Sequence, residues 1–228
     1  MVRKVKLFIT LFMAIALFFT TYQPAEAANP IKPSQSRVTH TIKDANGNPY
    51  KIYFAGTKEK KAIASYDRWD WAAVSDEADE GDQLYTGNYT LYTHDPKTSH
   101  IYKSKFHFPG YLLNTTRKTV HIYPSKTKGQ PDYLAIAYGM GYGAEMSDWY
   151  YMNKGKLTQV INGTGFIHNQ RAKVMGKNTF LTYVYDPNFE DYPFMKFTIN
   201  PATGEMGQSF PVYKDIFRII EDWPKHWQ

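Results

Sequence analysis

Apolar and polar residues alternate with a period of two along most of the chain beyond residue 37. Val38-Thr-His-Thr-Ile42 and Tyr50-Lys-Ile-Tyr-Phe54 show this most plainly, and the turn Asp44-Ala-Asn-Gly-Asn-Pro49 between them predicts a β-hairpin. A larger unit then follows three times. In the first, Ala62–Val74 reads as a strand, Ser75–Gly87 as a polar loop, and Asn88–Thr93 and His100–Phe108 as strands joined by the tight turn HDPKTS. The second unit contains Thr119–Tyr123, Asp132–Tyr138, Asp148–Met152 and Lys156–Ile161, with the turn NKG before its last strand. The third contains Arg171–Val174, Thr179–Tyr185, Phe194–Ile199 and Met206–Phe210, with the turn NPATGE. Leu91, Trp149 and Phe194 mark equivalent strands, 58 and 45 residues apart. At the C-terminus the period lengthens. Tyr213, Phe217 and Ile220 recur every three to four residues and predict a short amphipathic helix over Tyr213–Trp223, ended by Pro224.

The turns Asp95-Pro-Lys-Thr98 and Asn200-Pro-Ala-Thr-Gly204 resemble the Asp-Pro-x-Thr-Gly turn of bacterial β-propeller repeats. Asp or Asn caps such a turn through its side chain, Pro fixes φ, and Gly accepts positive φ. The resemblance covers about residues 62–210. It departs from the pattern at Ser99, which stands where the pattern has Gly, and in the shorter middle turn. Units of 40–50 residues built from antiparallel strands are what propeller blades require. The expected fold is therefore all-β and mostly antiparallel, with blade-like repeats forming a small or open β-propeller or a β-sandwich in a single domain over 38–228.

Composition adds a compartment. Arg3, Lys4 and Lys6 precede the apolar stretch Leu7–Tyr22, and Ala25-Glu-Ala27 is a small-x-small site, so residues 1–27 read as a signal peptide, too short to span a bilayer comfortably. Residues 28–37 carry Pro30 and Pro33 without apolar periodicity and are expected to form a flexible leader. The chain has no cysteine, which fits a bacterial exporter better than a disulfide-stapled animal secretory domain. The expected location is extracellular or cell-wall associated. Beyond the signal, 24 basic residues face 20 acidic ones, a net charge of +4. That excess is too scattered for a nucleic-acid binder but suits contact with anionic wall polymers.

Three local features carry candidate chemistry. Tyr66, Trp69 and Trp71 lie in the strand-like run, where residues two apart share a face, so both indoles would project together as a sugar-stacking surface or pack into the core. Trp149 and Tyr150 would extend either arrangement. Asp76, Asp79, Glu80 and Asp82, with Glu77 among them, crowd five carboxylates into one loop. Such a loop is a solvated acidic turn, a calcium site built from oxygen ligands, or the acid and base of a hydrolase. The glycines of Tyr138-Gly-Met-Gly-Tyr-Gly143 lack the spacing of a phosphate cradle and are expected to let neighbours approach closely. No nucleophile or metalloprotease motif is present. The functional expectation is a non-enzymatic secreted protein that recognises a glycan, a wall polymer or an extracellular protein. A secreted hydrolase using 76–82 and a regulator or inhibitor of a partner are the alternatives. A binding reading requires 66–82 and 138–150 to converge on one cleft.

Overall fold

A computed structural model describes residues 29–98, 100–141, 144–161, 166–168, 171–185, 193–215, 219 and 223. The expected signal peptide and most of the stretch expected to form the C-terminal helix lie outside the described residues. The chain is all-β and forms three antiparallel sheets. Sheet 1 runs in the order β1 (Ser36–Lys43), β2 (Pro49–Ile63), β3 (Gln83–His94), β4 (Ile101–Asn114). Sheet 2 contains β5 (Val120–Tyr123), β6 (Tyr133–Gly141), β7 (Ala144–Asn153) and β8 (Lys156–Gln159), with β9 (Phe166–His168) pairing beside β8 on the free edge of β7. Sheet 3 contains β10 (Lys173–Gly176), β11 (Thr179–Tyr183), β12 (Phe194–Ile199) and β13 (Met206–Ser209). Apart from β9, successive strands pair in each sheet as a meander, so the arrangement is blade-like, and no sheet closes on itself among the described residues. Among the described residues no helix is long and apolar enough to cross a membrane.

The expected hairpin at 38–54 is not a separate element but the first half of sheet 1. The polar run Thr57-Lys-Glu-Lys-Lys61, which breaks the apolar alternation, continues β2 by pairing with β3, and a bulge between Thr57 and Lys60 absorbs the irregularity with Lys58 at φ 56°. The expected strand over 62–74 therefore ends at Ile63, and residues 64–82 form a folded loop.

The sheets stack through two aromatic seams. On β6 and β7, Leu134, Ile136, Tyr150 and Met152 face sheet 1, where they meet Phe54, Tyr89, Leu91, Phe106, Phe108 and Tyr111. Their neighbours Tyr133, Ala135, Trp149 and Tyr151 face sheet 3 and meet Phe180, Phe197 and Ile199. Period-two alternation thus gives sheet 2 two buried faces. The outer faces are covered by terminal segments. The leader is engaged: Ile31 packs on Tyr53, Ala55, Tyr92 and Ile101, and the Ile101 amide donates to Asn29 Oδ1 at 2.7 Å. Trp223, Tyr213 and Ile219 cover Leu181, Tyr183 and Phe194 of sheet 3.

The two propeller-like turns share one mechanism. The Lys97 amide donates to Asp95 Oδ1 at 2.9 Å, and the Ala202 amide to Asn200 Oδ1 at 3.0 Å. Gly204 supplies φ +82°. These turns join the third and fourth strands of sheets 1 and 3, and Lys154-Gly155 holds that place in sheet 2.

Candidate functional site

A groove opens between the outer strands of sheets 1 and 2. Its cause is β4, an edge strand whose pairing with β3 slips twice, between Gly87 and Tyr89 and between Thr90 and Tyr92. Pro109 and Gly110 (φ +63°) form the first irregularity, which lets Phe108 and Tyr111 face inward together. Beside the bulged strand lie two adjoining lobes of about 590 and 710 Å³ that share Lys105, Phe106 and Gln159.

The first lobe is aromatic with polar walls. Phe106 and Phe108 lie edge-on to Tyr150, with centroids 4.7 and 6.2 Å apart, and Tyr111 lies 6.0 Å from Tyr138. Asp148 and Gln159 contribute from β7 and β8, and Glu77 enters from the 64–82 loop. The Tyr138 hydroxyl donates to Asp148 Oδ2, and the Tyr111 hydroxyl donates to the Ala137 carbonyl at 2.6 Å. Burial, then the neighbouring Asp148 carboxylate, pushes both the Tyr138 and Tyr150 phenols up, so they stay neutral donors. The Gly139 amide donates to Glu77 Oε1 at 3.0 Å. A Cβ at Gly139 would lie 2.2 Å from Glu77 Cγ, so glycine is what admits the Glu77 side chain. The second lobe carries Lys103, Lys105 and Lys156 with Tyr102, Leu157 and Ile161.

Segments 66–82 and 138–150 therefore do meet, through Glu77, Tyr138, Asp148 and Tyr150, but the tryptophans are not what brings them together. Residues 66–72 are turns rather than strand, so Trp69 and Trp71 do not share a sheet face. Trp69 is 97% exposed, Tyr66 is 74% exposed, and Trp71 packs against Ala64, Ala72, Ala78 and Leu84. Trp149 is 1% exposed inside the seam between sheets 2 and 3, where its indole N–H donates to Ser147 Oγ at 2.9 Å. Of the five rings expected to bind, only Tyr150 borders the groove.

The acidic loop is met by an arginine. Arg117, whose side chain is only 7% exposed, pairs with Asp79 at 2.7 Å and with buried Asp82 at 3.1 Å, and donates to the Asp76 carbonyl at 2.8 Å. Asn114 Nδ2 donates to Asp82 Oδ2 at 2.6 Å, and Glu80 Oε2 accepts the Tyr66 amide at 2.6 Å. Asp79 and Asp82 thus share Arg117, while the Glu80 carboxylate turns away to the Tyr66 amide. Among the described residues no group of three or more His, Asp or Glu is placed to hold a metal ion.

A second buried polar set lies at the loop end of the seam between sheets 2 and 3. Glu145 is 2% exposed, and burial, opposed by Arg171 and Arg117, pushes its carboxyl up to about 7. Arg171 Nη2 donates to the Arg117 and Lys118 carbonyls at 2.6 and 2.8 Å, joining sheet 3 to the base of the acidic loop. Sequence reasoning missed both Glu145 and Arg171. The signal was the placement of Glu145 two and four residues before Ser147 and Trp149, on a face that alternation already marks as buried.

No family model matches the chain, and no curated protein matches it. Among solved structures, a mutant of the Synechocystis apocarotenoid oxygenase is similar over 76% of this chain and 38% of that one, at 13% identity and a TM-score of 0.27. A likeness that slight carries no argument about this protein.

Proposed function

We propose that the protein is a secreted, non-enzymatic envelope protein that binds a glycan chain in the groove between β4 and β8. The observation that carries this reading is the first lobe, where half-buried Tyr138, backed by the buried Tyr150, stands beside two fixed carboxylates, Glu77 and Asp148. Pyranose rings have apolar CH faces that suit aromatic walls and hydroxyls that donate to carboxylates and to Gln159. An open trough of two lobes suits a chain better than a compact metabolite. The same pair of carboxylates favours the hydrolase as the second reading. Each of them, however, is already engaged by a donor, Gly139 N–H or Tyr138 O–H, whereas glycoside cleavage needs both carboxyl groups turned to the scissile bond.

The test is the chain from residue 28 on a glycan array, beside Asp148→Asn and Gln159→Ala. Retention of a glycan by the wild type, weakened in both variants at unchanged melting temperature, is expected. Binding to no glycan sinks the reading. Release of reducing ends that stops in Glu77→Gln replaces it with hydrolysis.

A further inference from the structure

The two ends of the molecule differ in charge. Because every four-stranded path is an antiparallel meander, the turns at 44–48, 95–98, 124–132, 154–155, 177–178 and 200–205 close one end, while the 64–82 loop lies at the other. Contacts between turns join them into one surface. The Asp132 amide donates to the Lys43 carbonyl at 2.9 Å, Lys97 Nζ to Asn48 Oδ1 at 3.3 Å, and the Asn178 amide to Gln130 Oε1 at 2.8 Å.

Every one of these turns except 200–205 carries or adjoins an exposed lysine: Lys43, Lys97, Lys126, Lys128, Lys154 and Lys177. Among the described residues every ion pair uses an arginine, Arg37 with Glu59, Arg68 with Asp70, and Arg117 with Asp79 and Asp82, and none uses these lysines. Four acids lie at this end against six lysines: Asp95 accepts the Lys97 amide, exposed Glu205 accepts the Thr203 hydroxyl, and the other two are buried. Asp44 and Asp132 are each 5% exposed and committed to N–H donors: Asp44 Oδ1 accepts the Asn46 and Asn48 amides, and Asp132 accepts those of Lys43 and Ser125. A cavity of about 470 Å³ between the turns is bordered by Lys43, Lys126 and Lys128. The second lobe of the groove adds Lys103, Lys105 and Lys156, with no carboxylate in its lining.

We propose that this lysine-bearing end binds a linear polymer carrying phosphate along its length. Like charges gathered on one surface repel each other, and a polyanion relieves that repulsion while releasing its own counterions. An ammonium on a flexible stem meets phosphate as a point charge without fixed orientation, which suits a repeating chain. The inference requires none of the aromatic lobe, so its failure leaves the glycan reading standing, and the reverse also holds.

The chain from residue 28 is titrated into fluorescently labelled long-chain inorganic polyphosphate. With four phosphates neutralised, affinity is expected to fall about 50-fold between 50 and 200 mM salt. Lys126→Glu with Lys128→Glu is expected to weaken binding about tenfold or more at 50 mM salt, because two attractive contacts become repulsive. Lys58→Glu with Lys60→Glu makes the same change in net charge on the exposed β2 bulge and is expected to shift affinity by no more than about twofold. Equal losses in the two double variants reduce the effect to net charge and overturn the proposal, as does failure of the wild type to bind polyphosphate. Equally tight binding to polygalacturonate overturns the assignment to phosphate. Binding to phosphatidylglycerol vesicles but not to polyphosphate makes the partner a membrane surface and overturns it too.

Discussion

Trp149 and Tyr150 are chain neighbours buried on opposite faces of sheet 2, at 1% and 2% exposure. Trp149 enters the seam between sheets 2 and 3, stacked 4.3 Å from Tyr123 and edge-on to Phe180 at 4.8 Å and Phe197 at 5.4 Å. Tyr150 enters the seam between sheets 1 and 2 and borders an open groove. The rings on the two sides are of the same kind, so ring content does not explain the difference. The facing strands do. β11 and β12 keep unbroken register over Thr179–Tyr183, whereas β4 slips twice against β3. A regular facing strand seals an aromatic seam, and a bulged one opens it into a lined trough.

Truncating the sealed side tests this contrast hardest. Trp149→Ala removes the ring that touches both neighbours across the seam, and is expected to cost about 3–5 kcal/mol in urea unfolding. A loss below about 1 kcal/mol would show that the seam can reorganise around the gap and is not the tight packing described.

At the loop end of the sealed seam, buried Glu145 beside Arg171 predicts a pH effect of the next size. Burial pushes its carboxyl up to about 7, against an ordinary value of about 4.3 in the unfolded chain. Between those values the folded chain keeps a proton that the unfolded chain has released. This group's contribution is therefore complete below about pH 4 and declines as pH rises towards 7, by roughly 3 kcal/mol in all. Urea midpoints at pH 5 and pH 8 are expected to differ by less in Glu145→Gln than in the wild type. An unchanged difference would place the titration elsewhere.

The parts of this fold legible in the sequence are those fixed by neighbours in the chain. Asp95 and Asn200 cap their turns with side chains two residues from the amides they accept, and the alternation in Tyr133–Tyr138 assigns both faces of β6 without tertiary information. The extension of β2 through Thr57–Lys61 was hidden, because a polar stretch is held there by backbone pairing and by the ion pair of Glu59 with distant Arg37. Trp69 and Trp71 misled for the related reason that aromatic content implied a strand where the chain turns. The groove was hidden because its walls come from positions 77 to 159 and its opening depends on how β4 bends. Pro109-Gly110 inside a strand-like run was the available sign of that bend.

On the open side, Tyr138→Phe removes a hydrogen bond to Asp148 without opening a cavity. It is expected to cost about 1 kcal/mol of stability, well below the Trp149 effect. Freed from its donor, Asp148 can reorient within the groove, so glycan affinity should fall further than stability does. A variant that loses stability but keeps wild-type affinity would mean that the orientation of Asp148 does not matter to the ligand.

The smallest effect expected separates exposure from function. Trp69 is almost fully solvent-exposed, on a turn where Arg68 bonds to Asp70 and not to the ring. It is the most conspicuous binding candidate in the sequence, yet it has no place in the groove lining. Trp69→Ala should therefore change stability by less than about 0.5 kcal/mol and leave glycan affinity unaltered. If the variant instead abolishes glycan binding while Asp148→Asn does not, the ligand rests on the 64–82 loop. The contrast between a sealed and an opened seam would then describe the packing of this molecule and not its recognition surface.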